Sequence, residues 1–388
     1  MSGMLPTDYE TATLLGRAFV PDANGPSVVA VSGDRIVDIT STDAPTTRDV
    51  CEKLSPTEYV RDALTSSSDI GSVKDLLDNT YETTRDATRP WLLAPSDLQA
   101  LKASGVTFVV SLLERLIEEQ ARGAPDKAAA IRNDIDNLIG QDLSKLKPGS
   151  PEAIKVKEKL IERGVWSQYL EVGIGPDAEI FTKAQPLSAV GSGAHIGILP
   201  SSVWNNPEPE IAVVVASSGK AVGATLANDV NLRDLEGRSA LLLGKAKDNN
   251  ASCAVGPFFR LFDNSYTMDD VRSADIALNV DGDDGFHLEG ASFISQISRD
   301  PLELIDATIS ENHQYPDGFL LMLGTMFAPI QDRDIENEGF THKVGDVVTI
   351  SNERLGHLVN TVHHCANCQP WTFGFSDLMR NLASRGLL

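Results

Sequence analysis

Three carboxylates are predicted to meet in the segment spanning residues 204–234. Glu208 and Glu210 are separated by one residue, and the period of two in a strand points both side chains to one face, with Cα atoms about 6.5–7 Å apart. The following apolar run turns at residues 217–220, and a second run ends at Asp229. A hairpin of this length returns Asp229 to the two glutamates. Because converging carboxylates repel one another unless neutralised, the pattern predicts a site for a hard divalent cation with oxygen ligands.

A solvated strand face is the alternative interpretation of Glu208 and Glu210, and it would be favoured if the two glutamates stood alone. The polar cluster at residues 228–234 follows an apolar strand directly, which is unusual for an ordinary surface. Pro209 donates no ladder hydrogen bond, so this strand is expected to start there or to lie at an edge. The cluster and the hairpin together favour the metal site.

The elements that would hold these carboxylates fall into two parts. Residues 25–40 predict two strands joined at Ser32-Gly33-Asp34, and residues 41–90 predict loops and short helices. Helical periodicity dominates from Ser96 to about Arg163, and it predicts one helix from residue 109 that ends at Gly123 and two more at Pro125–Gly140 and Pro151–Gly164. Short strand-like runs follow residue 166. We therefore expect an α+β protein with a smaller α/β amino-terminal domain at residues 1–163 and a β-rich domain at residues 164–388.

Composition and charge exclude several classes of partner. The 388 residues include 55 acidic and 33 basic residues, for a formal charge of −22, and this field disfavours nucleic acid and anionic membrane surfaces. Four cysteines are too few for a disulfide scaffold, residues 1–10 lack the pattern of a signal peptide, and no run of about 18 apolar residues occurs. We therefore expect a cytoplasmic protein.

Two further motifs are interpreted as incidental. Residues 363–368 (HHCANC) contain zinc-ligand types, but four ligands from six adjacent residues would strain a tetrahedral site. A site shared between subunits is the remaining alternative there. Residues 281–285 (DGDDG) lack the final glutamate of a calcium loop and are most simply a turn.

Ordered motifs across residues 165–362 resemble the fumarylacetoacetate hydrolase family. They are, in chain order, Glu208-Pro209-Glu210, Gly223-Ala224-Thr225, Asn228–Asp234, Gly244-Lys245, Ile297–Asp300, Pro316-Asp317-Gly318, Leu323-Gly324-Thr325 and Gly345–Val348. The resemblance implies a β-roll catalytic domain with mixed sheets. It also implies Mg²⁺, or Mn²⁺ or Ca²⁺, at the positions of the three predicted carboxylates.

The resemblance also suggests roles for other residues. Lys245 matches the family's active-site lysine and Thr325 its substrate-contacting threonine, while Arg233 is assigned to substrate binding or to support of the site. Carbon–carbon hydrolases of the family carry a water-activating histidine, and the alignment puts Glu114 at that position and Thr107 where some members supply a fourth carboxylate. Glu114 is therefore the expected proton shuttle, with Lys245 or a metal-bound water as the second proton-transfer group.

Within the family, the chain resembles most the dehydratases of non-phosphorylative pentose catabolism. The expected reaction converts 2-keto-3-deoxy-D-xylonate, or a related 2-keto-3-deoxy-pentonate, to 2,5-dioxopentanoate. The alternatives are a metal-dependent carbon–carbon hydrolase of acylpyruvates and a catalytically silent relative that serves as a binding protein. The expected partners are a small sugar acid and further copies of the chain, in a homodimer or homotetramer.

Overall fold

Short strands and short helices alternate along the chain in the computed structural model, which describes residues 4–108, 112, 146–162, 164, 166–327, 330–334 and 339–388. The strands in these ranges are β1 (Leu14–Val20), β2 (Gly25–Ser32), β3 (Arg35–Asp38), β4 (Ser68–Ser72), β5 (Trp91–Leu92), β6 (Ala100–Gly105), β7 (Glu179–Ala184), β8 (His195–Ile198), β9 (Asn205–Asn206), β10 (Pro209–Val215), β11 (Ala221–Asp229), β12 (Asn231–Leu232), β13 (Cys253–Leu261), β14 (Asp275–Asp281), β15 (His287–Phe293), β16 (Phe319–Met322), β17 (Val347–Asn352) and β18 (Gly356–His364). The α-helices are α1 (Thr47–Cys51), α2 (Pro56–Ala63), α3 (Val73–Asp78), α4 (Pro151–Glu162), α5 (Gln168–Ile174), α6 (Arg233–Glu236), α7 (Leu243–Lys247), α8 (Met268–Arg272), α9 (Pro301–Thr308) and α10 (Phe375–Ser384).

A large mixed sheet joins strands from both ends of the chain. Its order is β4-β3-β2-β1-β13-β11-β10-β16-β6-β7, with β5 paired to β1. The β1–β13 pair is antiparallel and the β6–β16 pair is parallel. Strands from before and after the predicted division between residues 163 and 164 therefore share one hydrogen-bonded sheet, and that division does not coincide with a break in it.

Apolar side chains cover both faces of the central strand β10. Ile211, Val213 and Val215 face a core cluster that includes residues of a second sheet, whose order is β15-β14-β17-β18-β8. Ala212 and Val214 belong to the cluster on the opposite face, together with residues of α1 and α2. This two-sided burial explains why β10 has a continuous apolar sequence rather than an alternating one.

The structure confirms the mixed α+β architecture and several local predictions, but residues 100–105, inside the segment predicted to be helical, form strand β6. Residues 25–32 and 35–38 form the predicted strand pair β2–β3, and the predicted helix beginning at Pro151 is α4. The helices predicted within residues 109–123 and 125–140 lie outside the described residues, apart from residue 112. None of the described helices is long and apolar enough to span a membrane.

Candidate metal centre and active site

The hairpin of β10 and β11 brings the three predicted carboxylates together. Its register pairs Glu210 with Ala227, and the backbone N–H of Asp229 donates to the carbonyl of Glu208 over 3.1 Å. Because residues opposite each other in an antiparallel pair share a face, the side chains of Glu208, Glu210 and Asp229 point the same way. Their nearest carboxylate oxygens all lie within 4.8 Å of one another. The predicted convergence is confirmed.

Two buried lysines neutralise part of this negative charge. The ammonium of Lys247, at the end of α7, lies 2.5 Å from Glu208 Oε2 and 2.9 Å from Asp229 Oδ2. The ammonium of Lys183, on β7, lies 2.8 Å from Asp229 Oδ1. The carboxylate of Asp229 is therefore held between two cations, one at each oxygen.

Glu210 is held from the other side by the turn that follows β16. Its Oε2 accepts a hydrogen bond of 2.7 Å from the backbone N–H of Gly324. Gly324 has a φ of +89°, and a Cβ at this position would lie 2.1 Å from Thr107 Oγ1. The Thr107 hydroxyl donates to the carbonyl of Leu323 over 2.6 Å. The turn thus requires glycine both for its backbone conformation and for the close approach of Thr107.

The electrostatic environment differs among these groups. Burial, together with the charges of Asp229 and Glu208, raises the pKa of Glu210 well above its usual value. Burial also acts to raise the pKa of Asp229, but the ammonium groups of Lys183 and Lys247 outweigh it and lower that pKa. Burial opposes the charge of Lys247, yet Asp229 and Glu208 raise its pKa. The site therefore holds more negative charge than its lysines neutralise, and a proton on Glu210 is one way to balance the excess.

A bound divalent cation is the second way to balance the excess negative charge of the site, and the residues fit such an ion. All three side chains offer carboxylate oxygens, which hard cations such as Mg²⁺ and Ca²⁺ prefer, and Glu208, Glu210 and Asp229 are at most 7% exposed. Among the residues that the structure describes, they are the one group of three or more His, Cys, Asp or Glu side chains able to converge on an ion. Residues 363–368 do not form such a group.

The carboxylates line a cavity of about 250 Å³. Both halves of the chain form its wall: Ser104, Gly105 and Val106 come from β6 and the residue after it, whereas the remaining lining residues follow residue 166. The polar and charged side chains of that second group are Gln168, Tyr169, Glu179, Asn206, Arg233, Glu236, Thr325 and Lys247, in addition to the three carboxylates. The cavity is thus small and lined by carboxylate, cationic and hydroxyl groups.

The other predicted site residues have different positions. Thr325 and Arg233 line the cavity, and the Arg233 guanidinium lies 4.2 Å from the centre of the Trp204 ring. Lys245 is exposed and is not among the lining residues. Glu114 lies outside the described residues.

Lys247, and not the predicted Lys245, contacts the carboxylates. Two residues apart on a helix are separated by roughly 200° around its axis, so only one of these lysines can face the carboxylates. Helix α7 buries Ala246 and Lys247 and exposes Gly244 and Lys245. The sequence shows a lysine on each side of Ala246, so both were candidates, but no local sequence feature indicated which of them faces the carboxylates.

The second missed residue is Lys183, whose side chain is completely buried. It lies in the segment Phe181-Thr182-Lys183-Ala184, which has no feature that distinguishes a buried lysine from an exposed one. Its role depends on the approach of β11 and α7 to β7, which the sequence does not show.

Comparison with known families decides the classification. Residues 167–363 match the family described as Fumarylacetoacetate (FAA) hydrolase C-terminal, and this match spans half of the chain. The chain belongs to the fumarylacetoacetate hydrolase family. The matched range contains the three carboxylates, both buried lysines and the glycine turn, so it includes most of the site described above.

Two curated proteins are similar to this chain in sequence over part of their length. A 2-dehydro-3-deoxy-D-arabinonate dehydratase from Saccharolobus solfataricus is 35% identical over 187 residues, which cover 47% of this chain and 58% of the relative. A protein described as a probable 2-keto-3-deoxyxylonate dehydratase from Haloferax volcanii is 29% identical over 201 residues, covering 52% of this chain and 65% of the relative. The chain thus spans about three fifths of the length of these relatives.

Solved structures share the fold over most of the chain. A 2-keto-3-deoxy-D-arabinonate dehydratase complexed with magnesium and 2,5-dioxopentanoate superposes with a TM-score of 0.61 at 22% identity, covering 90% of this chain and 99% of the other. A fumarylacetoacetate hydrolase from Exiguobacterium antarcticum superposes with a TM-score of 0.52 at 15% identity, covering 91% and 100%. At these identities the likeness establishes the fold.

Proposed function

We propose that this protein is a divalent-metal-dependent dehydratase of 2-keto-3-deoxy-pentonates. The proposed reaction converts 2-keto-3-deoxy-D-xylonate, or a related acid, to 2,5-dioxopentanoate. The observation that carries the proposal is the buried trio of Glu208, Glu210 and Asp229 at the wall of a small cavity, with the ammonium of Lys247 beside it. The two curated relatives, both named as dehydratases of such acids, support this substrate class.

Glu208, Glu210 and Asp229 would hold the metal ion, with Mg²⁺ as the first candidate because a similar structure is described as complexed with magnesium. A bound divalent ion would supply Lewis acidity toward the carboxylate and keto oxygens of a 2-keto acid. The formal charge of −22 repels an anionic substrate. A local cation is therefore needed, and Lys247 and Arg233 are the cationic side chains that line the cavity.

The chain's own residues would bind and orient the acid. Thr325 offers a hydroxyl at the cavity wall, directly after the turn whose N–H holds Glu210. The Arg233 guanidinium lies over the Trp204 ring, 4.2 Å from its centre, and this contact limits the positions that its donors can take. We assign both residues to substrate contact, in a cavity whose volume suits a five-carbon acid.

The reaction requires removal of a C3 proton and departure of the C4 hydroxyl as water. The C3 protons are acidic because they lie next to the keto group. The resulting unsaturated 5-hydroxy-2-keto acid tautomerises to 2,5-dioxopentanoate. We propose Glu114 as the group that moves the C3 proton, and we assign the second proton-transfer role to Lys247, since Lys245 is exposed. Replacing Glu114 by Gln should slow exchange of the C3 protons with deuterated solvent while Mg²⁺ binding persists; undiminished exchange would remove Glu114 from the mechanism.

The test is a substrate panel with product identification by NMR, in Mg²⁺ and after exhaustive chelation. The panel contains 2-keto-3-deoxy-D-xylonate, its L-arabinonate counterpart and an acylpyruvate. The expected result is 2,5-dioxopentanoate formed only with metal, and Glu208→Ala should abolish both metal binding and turnover. Pyruvate released from the acylpyruvate would instead indicate a carbon–carbon hydrolase, and full turnover after chelation would refute the metal site.

A further inference from the structure

A single buried ammonium connects the metal-ligand hairpin to the helix that carries the cavity lysine. Lys183 Nζ lies 2.8 Å from Asp229 Oδ1. It also donates to the backbone carbonyl of Val230 over 3.0 Å and to the backbone carbonyl of Lys247 over 2.5 Å. Lys183 therefore makes one ion pair and two hydrogen bonds to backbone carbonyls.

The three partners belong to two different elements. Asp229 is the last residue of β11 and Val230 follows it directly, whereas Lys247 is the last residue of α7. Lys183 itself is on β7, at the far edge of the large sheet. It does not line the cavity, and its side chain is 0% exposed. It therefore cannot contact a substrate in the cavity, and its effect must pass through the groups that it holds.

The same contact pattern fixes Asp229 on both sides. Lys183 takes Oδ1, while the ammonium of Lys247 takes Oδ2 and also reaches Glu208 Oε2. Lys183 also binds the backbone carbonyl of Lys247. It therefore fixes both the point from which the Lys247 side chain starts and the position of Asp229, one of the two carboxylates that this side chain contacts. Removing a buried cation of this kind would leave two buried carbonyls without this donor.

We infer that Lys183 is a positioning residue for the metal centre: it fixes the Asp229 carboxylate and the main chain of Lys247 relative to each other. The inference rests on the proposed function because it takes Glu208, Glu210 and Asp229 as ligands of a divalent cation. It goes further by giving a role to a residue outside the cavity. Groups that orient metal ligands in this way change metal affinity by about 10- to 100-fold when removed.

The direction in which Mg²⁺ affinity changes distinguishes a positioning role of Lys183 from a purely electrostatic one. Lys183→Met removes a positive charge beside a cation site, so electrostatics alone would strengthen Mg²⁺ binding. If Lys183 acts by positioning, the loss of a defined Asp229 geometry dominates, and Mg²⁺ binding weakens by about 10-fold or more. Isothermal titration with Mg²⁺ alone measures this without substrate or turnover.

A matched control is Lys102→Met. Lys102 lies on the neighbouring strand β6, is largely buried and donates to the Thr182 hydroxyl over 2.9 Å; the structure gives it no contact with the carboxylates. This variant should keep the Mg²⁺ affinity of the wild type. Unchanged or tighter Mg²⁺ binding by Lys183→Met would overturn the inference, as would an equal loss of affinity in both variants.

Steady-state kinetics at saturating Mg²⁺ give a second readout. Misplacement of Lys247 should lower kcat by more than it raises KM, because Lys183 does not touch the substrate. If the wild type shows no dehydratase activity, the proposed function is refuted, but the Mg²⁺ titration remains interpretable. Wild-type protein that binds no divalent cation would overturn the metal site and this inference together.

A measurement on the wild type covers the case in which Lys183→Met does not fold. Mg²⁺ binding should slow amide hydrogen exchange both at the end of α7, where the Asp248 N–H donates to the Gly244 carbonyl, and in β7. These two elements meet through Lys183. Protection confined to β10 and β11, with no change in α7 and β7, would refute the connection.

Discussion

Replacement of Glu210 by Gln should make the metal-free protein more stable and remove its response to Mg²⁺. Glu210 lies among two other carboxylates, and the relevant oxygens are within 4.8 Å of one another. At an effective dielectric constant near 20, each like-charged pair at that distance costs about 3.5 kcal/mol. Lys247 offsets part of this repulsion, so we expect a net gain of about 1–3 kcal/mol in the free energy of unfolding at neutral pH.

The gain should depend on pH in a defined direction. Because the pKa of Glu210 is raised in the folded state, the folded protein binds this proton more tightly than the unfolded chain. The wild type therefore loses stability as pH rises above the pKa of an unfolded glutamate, about 4.3. The variant lacks this titration, so its advantage should be present at neutral pH and vanish below about pH 4. Glutamine can still accept the Gly324 N–H, which leaves the turn intact.

Urea unfolding followed by tryptophan fluorescence, in chelator and in excess Mg²⁺, measures both effects. Excess metal at about 100 times its dissociation constant should stabilise the wild type by about 2.7 kcal/mol and the variant much less, so the stability advantage of the variant should shrink or disappear. Glu311→Gln, at an exposed position, is the matched control and should change neither curve. A variant less stable than the wild type in chelator at neutral pH, or equally stabilised by Mg²⁺, would refute the reasoning.

Two further predictions concern the lysines of α7 and the glycine turn. Lys247→Met should lower kcat by at least about 100-fold, which is the scale of losing a proton-transfer group. Lys245→Met, at an exposed position, should keep kcat within about twofold of the wild type. The reverse order in a steady-state assay would return the proton-transfer role to Lys245. Gly324→Ala should destabilise the protein by about 1–3 kcal/mol, because its φ is +89° and a Cβ would lie 2.1 Å from Thr107 Oγ1. It should also weaken Mg²⁺ binding by displacing the N–H that holds Glu210; wild-type stability in calorimetry and wild-type affinity in titration would contradict this.

The carboxylate trio could be predicted because it depends on local rules. Glu208 and Glu210 share a face through the period of two in a strand, and the turn at residues 217–220 returns the chain to their neighbourhood. A register shift between Val214 and Val215 then puts Asp229 on the same face as the two glutamates. Only the segment between residues 208 and 229 is involved, so alternation and turn chemistry predicted that the three carboxylates lie close together, whereas the register shift that decides the face of Asp229 was not predicted. The β2–β3 hairpin followed from the same signals.

The tertiary structure alone decided which cations and which turn complete the site. Lys183 and Lys247 reach Asp229 because β7 and α7 pack beside β11, and Thr107 meets the Leu323 carbonyl although the two residues are 216 positions apart. The parallel β6–β16 pair joins the two halves of the chain in one sheet. Such contacts depend on strand order and on which face of a helix is buried. Both are set by the packing of the whole molecule, and the sequence pattern of one segment is the same whichever neighbour it meets.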